Sequence, residues 1–368
     1  MVNDLRIHMV IIMYMAGCVT ILIYNAVAIW RKNRTGWLIP YNTDIWVKTI
    51  YQQLTAASPK HEKHLLRQLK RVETLIAFSA ALNHVARENS SALYERYMGM
   101  LSQSEVIRRL AAVYKNRPNE EKAYFAYFIS QHPVNISEAI IPFVEDSNIY
   151  CRVNVLKALC SMGDMHGVEA VLQFFSDKRI FVHHMLLAED LYNFAEDKEA
   201  LAFKLWGNHR LWDGNIVLAV ISFITMLSDR YKEAFLPVLK NRLLPADVRV
   251  GIMRYYSKFY FQPALPVLIQ YLAQTDNYQF AIEAAAALIT YPGAATTQAL
   301  VAALKSESWH VRYGAASTLV ALGEYMAGIG VEGKDGETVG MMQYVLAQSE
   351  ARALDAHIKD MNVRITAV

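Results

Sequence analysis

The sequence predicts an all-α chain: a single N-terminal transmembrane helix followed by an α-solenoid of stacked helical pairs. Three observations carry this reading. Met9 to Trp30 runs 22 residues without a charged side chain and stops at Arg31, Lys32 and Arg34. Beyond it, similar amphipathic segments return with a period of about 32 residues. Apolar residues recur at helical spacing, and no alternating pattern of the kind a strand needs is repeated.

Residues 1–34 are read as the anchor and its basic flank. As a helix, the apolar run rises about 33 Å, enough for a hydrocarbon core of about 30 Å. Trp30 and Trp37 then fall at interfacial depth. A cleavable leader competes, because Ala26-Val27-Ala28 matches a small-x-small site. The run is longer than a leader's, and its cations follow it rather than precede it. Arg31, Lys32 and Arg34 therefore place the N-terminus outside and the body on the cytoplasmic face of the plasma (inner) membrane. Residues 31–122 hold 16 Lys+Arg against 8 Asp+Glu, so anionic lipid is expected at the basic flank. Residues 35–58 read as a juxtamembrane amphipathic connector. Asn42 or Thr43 caps it, Ser58-Pro59 stops it, and Trp46, Ile50 and Leu54 form a stripe that docks on the body.

Residues 59–135 form the helical N-terminal part of the solenoid, with Leu65, Leu69, Val72 and Ile76 aligned and a capping-box pattern at Ser102 to Glu105. Residues 136–323 carry the clearest repeats. "DSNIYCRVNVLKALCSMG" (146–163) and "SESWHVRYGAASTLVALG" (306–323) share an Arg followed eleven residues later by a Gly suited to a helix C-cap. Positions 152, 183, 216, 249, 281 and 312 extend this frame through the chain. Each is preceded by a second amphipathic run, with Pro142, Pro237 and Pro266 near three of the starts, where proline costs least. Residues 324–368 supply a Gly-rich loop and a C-terminal capping helix. The combination of an apolar-Pro-apolar helix, Asp247-Val248-Arg249 or Val311-Arg312, and an Ala-Ala-x-x-Leu-x-x-Leu-Gly ending resembles HEAT repeats of the short bacterial type. The resemblance spans roughly Ile136 to Gly323.

No catalytic constellation is evident, and no cofactor or metal is expected. Cys18, Cys151 and Cys160 lack the spacing of a disulfide framework or a zinc site. Gly333-Lys334-Asp335-Gly336 lacks the spacing of a phosphate loop. His183 and His184, as neighbours on a helix, are expected to diverge. Residues 123–368 carry 20 Lys+Arg against 25 Asp+Glu, the wrong sign for nucleic acid. The aromatic-cationic clusters are the candidate protein interface: Trp206, Arg210 and Trp212 in one stretch, Arg254, Tyr255, Tyr256 and Tyr260 in the other. One helical stripe cannot bury all of the second cluster. The resemblance implies a non-enzymatic scaffold that binds protein partners, expected here to be membrane-tethered and to serve a membrane-associated complex of envelope-glycan or transport type. The same family resemblance also admits a phycobilin-lyase-like chromophore handler or a nucleic-acid-binding solenoid.

Overall fold

The computed structural model describes residue 13 and residues 17–25, 42–54, 59–88, 91–274, 277–324 and 336–366. Among these residues all regular structure is helical. No helix among them is long and apolar enough to cross a membrane. The expected single-pass anchor and inner-membrane placement are corrected accordingly. Arg31, Lys32 and Arg34, assigned to the basic flank, lie outside the described residues.

The chain divides into two compact units, Met1–Val171 with Asn193–Glu196, and Leu172–Tyr192 with Asp197–Val368. The first holds α1 (42–54), α2 (Pro59–Leu69), α3 (Val72–Glu88), α4 (Ser91–Gln103), α5 (Val106–Tyr114), α6 (Asn119–Gln131), α7 (Ser137–Ile140) and α8 (Ile149–Met162). A 3-10 turn, Ile141–Glu145, links α7 to α8, and Pro142 opens it. The connector helix α1 docks as its stripe requires: Trp46 and Ile50 are buried, and Trp46 meets Phe78 edge-on at 5.1 Å. The capping box does not form, because Ser102 lies within α4 and Glu105 makes no side-chain cap on α5. α6 packs along α8, with Asn154 donating to the Ala123 carbonyl at 3.1 Å and Ser161 to the Ser130 carbonyl at 3.0 Å.

In the second unit the chain runs through α10 (His184–Tyr192), α11 (Lys198–Gly207), α12 (Gly214–Leu227), α13 (Lys232–Lys240), α14 (Ala246–Lys258), α15 (Leu265–Leu272), α16 (Tyr278–Ala287), α17 (Ala294–Ala303), α18 (Trp309–Ala321) and α19 (Gly336–Thr366). A helix α9 (Met165–Asp177) precedes them and spans the division. Each second helix packs on the next, α10 on α12, α12 on α14, α14 on α16 and α16 on α18, and α19 closes against α18. The first helices α11, α13, α15 and α17 each cover their own partner. Side chains write the repeat length into hydrogen bonds 33 residues long: Asn215 to Val182, Lys258 to Thr225, Thr290 to Ser257 and Thr318 to Ala285, each onto a carbonyl.

The frame arginines have a local task. Arg152 donates from Nε to the Val144 carbonyl at 3.1 Å, and Arg312 from Nη1 to the carbonyls of Ser306 and Glu307 at 2.8 and 3.0 Å. They satisfy acceptors exposed where the chain leaves the preceding helix. Gly163 and Gly323 take φ of 70° and 77° just beyond their helices, as the C-cap reading expects. At His183 the frame slips, since α10 begins one residue later and His183 precedes it, its Nδ1 accepting from the Met185 N–H at 3.3 Å. Being outside the helix, its ring stacks on His184 at 4.5 Å instead of diverging. Pro237 also departs from expectation: it sits inside α13, where its ring removes a ladder hydrogen bond.

His132, just after α6, is buried with both ring nitrogens satisfied. Nε2 lies 3.0 Å from Ser79 Oγ and Nδ1 3.0 Å from the Tyr94 hydroxyl. Burial pushes this imidazole down to about 4, below the ordinary value of about 6.5 in an unfolded chain. Protons therefore favour the unfolded state. The contribution of neutral His132 is complete above about pH 6.5 and is lost as pH falls toward 4. Urea unfolding across that window is expected to lose stability at up to about 1.4 kcal/mol per pH unit more steeply in the natural chain than in His132→Gln. Equal slopes would show that His132 is not held neutral by the fold.

Candidate protein-interaction surface

The structure divides the two aromatic-cationic clusters read from the sequence. Trp206, Trp212, Tyr255 and Tyr256 are buried. Trp206, Tyr255 and Tyr256 belong to one chain of rings in the second unit. Trp206 stacks on His209 at 4.2 Å and meets Phe235 edge-on at 4.6 Å, and Phe235 meets Tyr255 edge-on at 4.6 Å. Their polar tips are satisfied by neighbouring elements. Trp212 Nε1 donates to Gln173 Oε1 at 2.8 Å, the Tyr255 hydroxyl accepts from the Tyr231 N–H at 3.1 Å, and Tyr256 donates to the Lys232 carbonyl at 2.5 Å. Burial raises the Tyr255 and Tyr256 hydroxyls well above the usual phenol range.

Tyr255 and Tyr256 are both buried for a physical reason. α14 lies between α12 and α16 and is covered by α13, so it buries Val248, Val250, Gly251, Ile252, Met253, Tyr255 and Tyr256 around most of its circumference. A helix pressed on several sides has no single apolar stripe. Three members of the predicted set remain at the surface. Arg210 is exposed. Tyr260 is 51% exposed and rests on the Tyr291 ring at 5.1 Å. Arg254 grips both carboxylate oxygens of Glu283, joining α14 to α16.

A second exposed aromatic set was not singled out in the sequence. Tyr278 opens α16 and Trp309 opens α18. Trp309, 46% exposed, stacks on Tyr313 at 5.1 Å with only 12° between the ring planes. Tyr313 donates to Gln348 Oε1 at 2.8 Å, and Gln348 donates to the hydroxyl of Tyr344, which is 50% exposed. Beside Tyr278 opens a cleft of about 660 Å³ lined also by Leu272, Ala302, Glu307 and Val311, among others. The available signal is positional. Each aromatic directly follows the residue before its helix, Asn277 or Ser308, where a side chain stands off the buried stripe.

A smaller groove of about 420 Å³ lies at the corresponding edge between α12 and α14, lined by Arg210, Trp212, Val217, Val238, Leu244 and Pro245 with others. Gly214 lines it as well, and a Cβ there would come to 3.1 Å from Pro245 Cγ. Between α14 and α16 no such opening is needed to explain the packing. Arg249 lies over the Phe280 ring at 4.3 Å and donates to Tyr271, which donates to the Leu239 carbonyl at 2.7 Å. Among the described residues no group of three or more His, Cys, Asp or Glu is placed to hold a metal ion.

Paired helices, a repeat of 31–33 residues carried by hydrogen bonds, and second helices stacked in succession define a helical-repeat protein. Residues 265–327 match the HEAT-repeat family, a span that contains α15 to α18 and the cleft beside Tyr278. The match and the helical pairs together support a HEAT-like helical-repeat protein. No curated protein matches the chain. HEAT repeats in general mediate protein interaction and are typically non-catalytic.

The division between core and surface is measurable. Trp206→Ala is expected to cost about 3–5 kcal/mol of unfolding free energy, while Arg210→Ala and Tyr260→Ala stay within about 0.5 kcal/mol. A neutral Trp206→Ala in urea titration would return that indole to the surface.

Proposed function

We propose that this chain is a scaffold that holds another protein on the exposed edge of its second-unit repeats. The observation that supports it is an open cleft, lined by exposed Tyr278, inside the span that matches HEAT repeats, with Trp309 and Tyr344 exposed on α18 and α19. Trp and Tyr are the side chains that most often anchor protein interfaces. The fold buries other aromatics of the same unit, such as Tyr255, Tyr256 and Tyr291. Chromophore handling has no dedicated feature here. Nucleic-acid binding is disfavoured by the acidic excess of residues 123–368.

The test is a photo-activated crosslinker placed singly at position 309, 344 or, as a control, at exposed Glu120, in cells that make the chain. One recurrent protein is expected from 309 and 344 and not from 120. Converting Trp309 and Tyr344 to Lys is expected to lower its recovery about tenfold or more. Products that are the same from all three positions would overturn the scaffold reading.

A further inference from the structure

We infer that the groove between α12 and α14 receives an acidic segment of a partner protein, seating one bulky apolar side chain among Trp212, Val238 and Leu244 and a carboxylate against Arg210. The inference rests on the scaffold reading and names the chemistry of what is held. The lining supplies an apolar pocket and one sign of charge. Besides Trp212, Val217, Pro237, Val238, Leu244, Pro245 and Val248, its titratable members are His209 and Arg210, and no carboxylate lines it. Arg210 is exposed, and no ion pair among the described residues engages it.

The surrounding loops point the same way. Leu211, beside Arg210, is 69% exposed, and Leu243, beside Leu244, is 95% exposed. Two leucines standing in water, each next in sequence to residues that line the groove, gain by being covered, at about 25 cal/mol per Å² removed from water. Arg242 adjoins Leu243 and adds a second exposed cation.

The nearest acidic groups are committed or lie off the lining. Asp213 caps α12, accepting from the N–H groups of Asn215 at 2.8 Å and Ile216 at 3.0 Å. Asp247, in the first turn of α14, is not among the lining residues. α14 begins at Ala246, and its N-cap residue, Pro245, offers no side-chain acceptor to the first N–H groups. Those donors reinforce the preference for an anion that Arg210 sets. A cationic segment would meet Arg210 and gain no carboxylate from the lining. A volume of about 420 Å³ is large enough for one aromatic or leucine side chain with its flanking backbone and too small for a packed helix.

The probe is a displayed library of random short peptides selected on the full chain. Enriched peptides are expected to carry Phe, Leu or Trp beside Asp or Glu, and to bind about tenfold or more tighter than their Lys-for-acid counterparts. Arg210→Glu, at an exposed site that keeps the fold, is expected to reverse that preference. Val238→Arg, which fills the groove, and Leu243→Ser are expected to weaken binding. Basic or uncharged consensus sequences, no enrichment at all, or peptides indifferent to both Arg210→Glu and Val238→Arg would overturn the inference. A recurrent protein crosslinked from position 309 alongside any of those results removes the acidic-segment site and leaves the scaffold reading standing. Absence of both removes the two together.

Discussion

In the second unit α12, α14 and α16 are each flanked by the second helices before and after them, and this double burial is the constraint on which the rest depends. It demands close approach of helix axes, and close approach demands small side chains. Gly251 of α14 faces α12 so tightly that a Cβ would fall 2.5 Å from Leu218 Cδ1. Gly314 of α18 faces Ala285 of α16, where Ala284, Ala287, Ala315 and Ala316 are buried as well. At such separations Thr318 reaches back to the Ala285 carbonyl, and Lys258 to that of Thr225. The small residues and the hydrogen bonds are two expressions of one distance.

With both flanks occupied, variation is left to the edges where helices begin and end. Polar atoms there must find partners among turns and caps, and they do so through a few long side chains. Arg152 and Arg312 close carbonyls of the preceding connection, Asn148 and Asn277 cap α8 and α16, and Asp197 and Asp213 cap α11 and α12. Buried tyrosines extend the same economy inward. Tyr271 and Tyr256 donate to backbone carbonyls of α13, while Tyr255 and Tyr291 accept from N–H groups of turns, so each large ring enters the core with its hydroxyl paired. The side chains left over at the edge, Tyr278, Trp309, Leu211, Leu243 and Arg210, have no such structural task. That is why recognition is assigned to them and stability to the rings beneath.

Much of the repeat was legible in the linear chain because it depends on short-range rules. Helical periodicity, Gly163 and Gly323 as C-caps, and the Arg of the second helix all act within one or two turns of chain. The register failed at His183 because α10 begins only at His184, so the frame position falls before the helix instead of inside its first turn as at Arg152, Arg249 and Arg312. α6 joins the same 31-residue register as α8, yet it lacks the Arg and the terminal Gly by which the repeat was recognised. The apolar run at the N-terminus was read by length and charge order, two criteria that say only how a helix would sit in lipid, and no helix among the described residues is long and apolar enough to cross a membrane.

The amino-acid order by itself determined the helical class, the pairing, the period near 32 and the docking stripe of α1, since each follows from which residues share one face of one helix. Only the tertiary structure decided which aromatics are core and which are surface. Trp206, Trp212, Tyr255 and Tyr256 went inside, and Tyr278, Trp309 and Tyr344 stayed out. Periodicity states which side chains point the same way. It does not state how many neighbours press on the helix, and that number, set by the stacking of residues some 31–33 positions apart, fixes what is left for a partner to touch.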